Sequence, residues 1–286
     1  SPNGQSKAQI CLNQGGRLSA FVFENIQILA EFNSVSYLDN YASSILFPFA
    51  NRIKDGQYTF NTIKYNLRCN EFEKNNAIHG LVYNKPFDVI DSVSTQDYAA
   101  VTLNYKHEGN TEGFPFEFNL ELSYQLNKNG LILTVKAFNN DKSSFPFNIG
   151  WHPYFYSKNL DNSTLNFKSD TKYVYDNQQI ISGTTALDIE MPFELKGVSL
   201  DTGYPLKTNE IQFTTPEYDM NIRTTSKENF LQLYTPDSQN VIAIEPMTGP
   251  TDNFNNKIGL QTLQPNETYL VKWSLVIAPI TTDTNN

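Results

Sequence analysis

Phe116-Glu-Phe118-Asn-Leu120-Glu-Leu122-Ser-Tyr124-Gln-Leu126, then Asn-Lys-Asn-Gly at 127 to 130 and Leu-Ile-Leu-Thr-Val-Lys-Ala-Phe at 131 to 138, is the stretch that decides the fold class. Apolar residues take every second position of the first run, with Glu, Asn, Ser and Gln between them. Successive side chains of an extended chain point to opposite faces, so the pattern sets one face on a core and the other in water. The Asn- and Gly-bearing segment supplies a turn, and the returning run completes an antiparallel hairpin.

The same period recurs outward from this hairpin. Tyr269, Val271, Trp273, Leu275 and Ile277 alternate with residues such as Lys272 and Ser274, and strand-like runs stand at 57–67, 99–106, 230–235 and 241–245. Turn residues separate them, and no long stretch has a convincing helical period. The chain therefore reads as all-β, built of packed antiparallel sheets. Sandwiches of this size fold as single units, so one domain over residues 1–286 is expected.

Composition narrows the partners. Twenty Phe and sixteen Tyr suit pleated surfaces. A net charge of −9 disfavours nucleic-acid phosphates and anionic membranes. The four arginines, Arg17, Arg52, Arg68 and Arg223, are scattered and form no evident phosphate clamp. Cys11 and Cys69 have no metal-site spacing and are expected as buried free thiols. No apolar run reaches the roughly 20 residues of a membrane helix. A cytoplasmic setting is expected, although a chain that opens at Ser1 is compatible with a removed leader or tag; monomer and homodimer both stay open.

Four fragments depart from plain strands: 47–56 (FPFANRIKDG), 75–80 (NNAIHG), 150–155 (GWHPYF) and 243–254 (AIEPMTGPTDNF). In the third, His152 shares parity with Gly150 and Asn148, while Trp151 and Ile149 point the other way. Gly150 is expected to clear space beside the histidine, and Pro153 to end the sheet's hydrogen bonding. The plainer role is a histidine buried among aromatics. In the fourth fragment Glu245 follows four apolar residues and is expected to end the strand at Pro246, where desolvation would raise its pKa; a solvent-facing strand-end glutamate is the alternative. Arg52 follows an apolar run and can donate to hydroxyls or sit in a structural salt bridge. His79 lies in a loop able to reach a cleft or simply to stay on the surface. His107, in the charged segment KHEGNTEG, is expected to be solvent-exposed. Compact metal-ligand spacings, nucleophile elbows and nucleotide fingerprints are absent, so neither metal nor cofactor is expected.

Taken in order, these fragments resemble the aldose 1-epimerases, also called galactose mutarotases, over nearly the whole chain. The stretch 46–67 resembles the family's Pro-x-x-Asn-Arg-Ile segment, which carries Asn51 and Arg52; 75–80 its Asn-x-x-His-Gly signature; 112–140 its central hairpin; 150–155 its His-x-Tyr-Phe site; and 243–254 its Glu-Pro segment. The resemblance implies a large antiparallel β-sandwich, the supersandwich fold, with an open sugar-binding cleft across one sheet, and it implies roles. Glu245 would be the general base at the anomeric hydroxyl, and His152 the general acid at the ring oxygen. Arg52, His79, Asn51 and, on a looser match in LDTGYPL, Asp201 would bind the sugar. It implies a monosaccharide partner, and Glu245 and His152, both at strand ends, are expected to face each other across one sugar ring from adjacent strands about 4.8 Å apart. The acid motif departs from the commoner form, which has Thr or Asn before the histidine and Thr after it, and this leaves sugar preference open. Alternatives are a hexose-6-phosphate 1-epimerase, a non-catalytic sugar-binding relative, and a glycosidase pairing Glu245 with Asp201.

Overall fold

The structure, a computed structural model, describes residues 4–29, 36–237 and 240–280. Among them are two nine-stranded sheets and four two-stranded ones. The hairpin that dictated the fold class is formed by Glu117–Asn127 and Gly130–Asn139, paired antiparallel from Phe118↔Asn139 to Asn127↔Gly130. Tyr98–Glu108 flanks it on one side and Thr268–Pro279 on the other. The alternation is realised in burial: Phe118, Leu120, Leu122, Leu133, Val135, Val271 and Trp273 are inaccessible, while the residues between them face outward. We call this the hairpin sheet.

The second large sheet is built from short pieces. At its centre lies Val241–Met247, buried at every position. Tyr154–Tyr156 and Gly150–Trp151 pair with it along one side and Phe230–Tyr234 along the other, with Asp201–Pro205 beyond. A strand covered on both faces reads as a continuous apolar run rather than an alternating one, which is why 241–245 looks as it does. We call this the cleft sheet. The two sheets share one core: the Trp151 and Trp273 rings stack at 6.3 Å and 27°, and the Tyr218 hydroxyl donates across the layer to the Tyr156 carbonyl at 2.6 Å. The result is the expected antiparallel β-sandwich. The only α-helices among the described residues are four-residue turns, Tyr37–Asn40 and Asn253–Asn256, and none is long and apolar enough to cross a membrane.

Four expectations are corrected. Glu245 does not end its strand: Pro246 and Met247 continue it, opposite Leu231 and Phe230. The Ile244 and Thr248 N–H groups both bond toward residues 149–153, so by parity the missing donor of Pro246 falls at the break between Gly150–Trp151 and Tyr154–Tyr156, where no ladder bond is lost. The run 57–67 is not one strand but a hairpin, Gln57–Phe60 with Ile63–Asn66, turning through Asn61 and Thr62, both at positive φ. His107 is buried, 2 % exposed, because it continues the inward face of Tyr98–Glu108 opposite Phe118, on whose ring it stacks at 4.7 Å. Cys11 and Cys69 are only half-buried.

Candidate functional site

His152 sits in the break between two strand pieces, and the chain around it is fixed by backbone bonds. Its N–H donates to the Ser44 carbonyl at 3.0 Å, and its carbonyl accepts from the Ser43 N–H at 2.8 Å. Trp151 turns into the shared core, so the next side chain turns out of it, into a cleft. Gly150 plays a different part from the one expected. A Cβ there would lie 2.8 Å from Ala50 Cβ and 3.2 Å from both Leu46 Cδ1 and Met247 Cγ, so the glycine admits protein packing rather than a ligand. Gly80 is held by backbone instead: at φ +75° its Cβ would fall 2.3 Å from the Phe47 carbonyl oxygen.

Glu245 projects from the neighbouring strand, and its Oε1 lies 3.4 Å from His152 Nε2. The two residues do come from adjacent strands, as expected, but at this separation no sugar ring fits between them, so they do not face each other across one. The two groups stand side by side on one floor, because they come from adjacent strands of one sheet and point from the same face. Both side chains are nearly inaccessible. Burial pushes the Glu245 carboxyl well above its ordinary range, with Asp201 adding to the rise and Arg52 opposing it. Burial likewise pulls the His152 imidazole down to about 4. Each shift penalises a charged form, so the empty pair favours the state with one proton on the carboxyl and a neutral ring. Glu245 Oε2, His152 Nδ1 and His79 Nδ1 have no hydrogen-bond partner among the described residues. Buried polar atoms of this kind are ready to meet ligand hydroxyls.

The wall beside the pair is built by Arg52–Lys54 and Asn76–Ile78, which pair through Arg52↔Ile78. Asn51 and His79 bracket that pairing in left-handed conformations, at φ 58° and 64°, and the His79 N–H donates to the Asn51 carbonyl at 3.0 Å. Non-glycine residues occupy this region at some cost, a strain that concentrates where side chains must be aimed. His79 meets His152 edge to face at 5.2 Å, and burial first, then His152 and Arg52, depress its pKa well below the ordinary value. Arg52 is both a cleft residue and a salt-bridge partner. Its Nε donates to Glu71 Oε2 at 2.9 Å and its Nη2 to Oε1 at 2.8 Å. Burial alone would raise the Glu71 pKa, but the bonds from Arg52 and Asn76 outweigh it and hold the carboxyl below the usual value.

On the opposite wall Asp201 Oδ1 accepts from Gln232 Nε2 at 2.7 Å, and the Tyr175 hydroxyl donates to Gln232 Oε1 at 3.2 Å, which fixes the amide's orientation. Gln232 is the cross-strand partner of Glu245. The cleft measures about 720 Å³, and all six residues singled out from the sequence, Asn51, Arg52, His79, His152, Asp201 and Glu245, line it. Tyr154 of the His-x-Tyr-Phe site lines it as well, and so do Gln232, Glu71 and Tyr41, which were not anticipated. A lone Gln inside the apolar run 230–235 was a usable signal for the first; the others arrive by tertiary approach. Among the described residues no three His, Cys, Asp or Glu side chains gather to hold a metal ion.

Large antiparallel sheets in this arrangement match the fold of galactose mutarotase-like proteins. The chain belongs to the aldose 1-epimerase family, whose model matches residues 3–275. It is 23% identical over 262 residues to the uncharacterized protein YihR of Escherichia coli (strain K12), covering 87% of this chain and 83% of the relative. A galactose mutarotase-like protein from Clostridium acetobutylicum superposes with a TM-score of 0.88 at 22% identity, over 97% of this chain and 94% of the other. The aldose epimerase homologue from C. elegans superposes with a TM-score of 0.82 at 16% identity, over 97% of both.

Proposed function

We propose that this chain, as one domain, is an aldose 1-epimerase that interconverts the α and β anomers of a free aldohexose. The observation that carries the reading is the 3.4 Å contact between His152 Nε2 and Glu245 Oε1 on the cleft floor. O1 and O5 of a pyranose are both bonded to C1, so groups standing side by side can serve both. The Glu245 carboxylate takes the O1 proton as the C1–O5 bond breaks, and the His152 imidazolium delivers a proton to O5. C1 becomes an aldehyde, the C1–C2 bond rotates, and the reverse transfers close the ring on its other face. The protons exchanged equal those returned, so no cofactor enters the balance. The reactive state holds the same single proton as the empty pair, moved from carboxyl to ring. A sugar O1–H donating to the carboxylate favours that movement, and general acid–base catalysis of this kind contributes roughly 10²–10⁴-fold. Arg52, His79, Asn51 and Asp201 would hold the remaining hydroxyls.

A hexose-6-phosphate 1-epimerase has less support. The cleft lining carries Asp39, Glu71, Glu73, Asp201 and Glu245 against Arg52 and Lys74, and Glu71 already neutralises Arg52. No nucleic acid or membrane partner is proposed. The test is anomer exchange followed by polarimetry or exchange NMR on glucose and galactose. Glu245→Gln and His152→Ala are each expected to slow it by at least about 10²-fold with the fold intact. An unchanged rate in either variant removes that residue from the reaction.

A further inference from the structure

Phe72 is the most exposed of the large apolar side chains among the described residues, at 79 % of its surface, and it lines the mouth of the cleft. Its turn is not loose. The Glu71 N–H donates to the Asn76 carbonyl at 3.0 Å, the Asn76 N–H returns to Glu71 at 3.2 Å, and the Asn75 N–H closes on the Phe72 carbonyl at 3.3 Å. The inaccessible Asn76 side chain adds bonds to Glu71 Oε2 at 2.8 Å and the Gln178 carbonyl at 2.9 Å. A well-bonded turn thus holds a phenyl ring in water beside the site, an arrangement that gains the fold nothing and that marks contact surfaces. Leu38, 54 % exposed, also lines this cleft.

We propose that the cleft mouth is a second sugar subsite. It takes the non-reducing ring of a reducing disaccharide or longer oligosaccharide, with Phe72 as the stacking face; this rests on the anomer-interconversion reading. If O1 and O5 lie on the floor against His152 and Glu245, the far edge of the same ring faces the mouth. A glycosidic substituent on that edge leaves the floor toward Phe72. The C–H-rich face of a pyranose carries slight positive charge and suits the negative face of an aromatic ring. Asp39, Glu73 and Lys74 stand at the same rim with groups for its hydroxyls. Size agrees: clefts of roughly 300–1,000 Å³ enclose drug-sized ligands, which are larger than one hexose, and this cleft has about 720 Å³.

The experiment compares the full chain with Phe72→Ala and Phe72→Trp. KM for anomer exchange and Kd by titration calorimetry are measured for glucose and galactose and for maltose, cellobiose and lactose. At least one disaccharide should bind the wild type more tightly than its reducing-end monosaccharide. Phe72→Ala should weaken that disaccharide roughly three- to ten-fold while leaving the monosaccharide constants and kcat unchanged, and Phe72→Trp should restore it. Phe72-dependent disaccharide binding without turnover of any sugar would uphold the subsite and overturn the epimerase reading. No disaccharide preference, no binding, or an equal loss for mono- and disaccharide in Phe72→Ala would overturn the subsite.

Discussion

The two large sheets solve different problems with the same backbone geometry. In the hairpin sheet, Tyr98–Glu108, Glu117–Asn127, Gly130–Asn139 and Thr268–Pro279 run ten to twelve residues each, with unbroken register through the two inner pairings. In the cleft sheet, the partners of Val241–Met247 on one side are pieces of two and three residues, and the chain between them presents His152. Long ladders satisfy every backbone group and leave no side chain to spare for chemistry. Interrupted ones need rescue from outside, as Ser43 and Ser44 give to His152, and in return they aim a side chain away from the pleat. What separates the sheets is therefore unbroken pairing in one and side chains aimed into a cleft in the other.

The sharpest way to break this division is to damage the hairpin sheet alone. Leu133 is inaccessible and faces Trp273 in register. Leu133→Ala should lower unfolding free energy by about 2–5 kcal/mol, read from urea or thermal unfolding. Anomer exchange per folded molecule should stay at the wild-type rate. A fall in that rate larger than the lost folded fraction would mean that Trp273, stacked on Trp151 next to His152, carries positional information between the sheets.

Legibility in the sequence follows the same division. The alternation from Phe116 to Leu126 could be read because half-burial writes itself into every second residue, and long ladders repeat the message. The period also extended further than its composition suggested. Val101, Leu103, Tyr105 and His107 share one parity, and that parity, rather than the charged neighbours Lys106 and Glu108, predicts the buried His107. In the cleft sheet the candidate site residues could be singled out one by one, and adjacent strands for His152 and Glu245 could be expected, but not the contact between their side chains. That contact depends on the register between short strands, and no local pattern encodes it. Glu71 was invisible for the same reason: its partner Arg52 is nineteen positions away and meets it only through a folded turn.

A second way to sharpen the contrast uses pH, since the cleft floor sets His152 against Glu245, whereas the hairpin sheet buries a single histidine, His107, against the Phe118 ring. The folded-state pKa of His152 lies near 4, below the ordinary 6.5. A depressed value means that the folded state resists protonation, so its stabilising contribution is complete above pH 6.5 and is lost as pH falls toward 4. Wild type should lose about 3 kcal/mol over that window relative to His152→Ala, whose cavity cost does not depend on pH. Denaturant melts at several pH values give this difference, and a flat difference would mean that the ring is solvated. Under the proposed reaction the acid limb of kcat/KM should also fall near 4, where a second proton leaves the pair without a base.

The smallest expected effect tests whether the cleft wall is tuned for neutral ligands. Glu71 grips Arg52 through two oxygens and is itself held by Asn76. Glu71→Gln keeps the side-chain volume but offers Arg52 one acceptor in place of a carboxylate. The guanidinium then carries an uncompensated charge and loses its fixed plane. KM for a neutral hexose should rise about ten-fold with kcat nearly unchanged, because aim is lost while the floor pair is untouched. Affinity for hexose 6-phosphate, measured by titration, should rise in the same variant, since a free cation now faces the ligand. If KM holds, Arg52 is aimed by the Asn51 side chain, whose Oδ1 accepts from its N–H at 2.9 Å and its Nη1 at 3.2 Å, and not by Glu71. If instead kcat falls while KM holds, the guanidinium acts on charge that develops during ring opening, and the wall belongs with the floor in the chemistry.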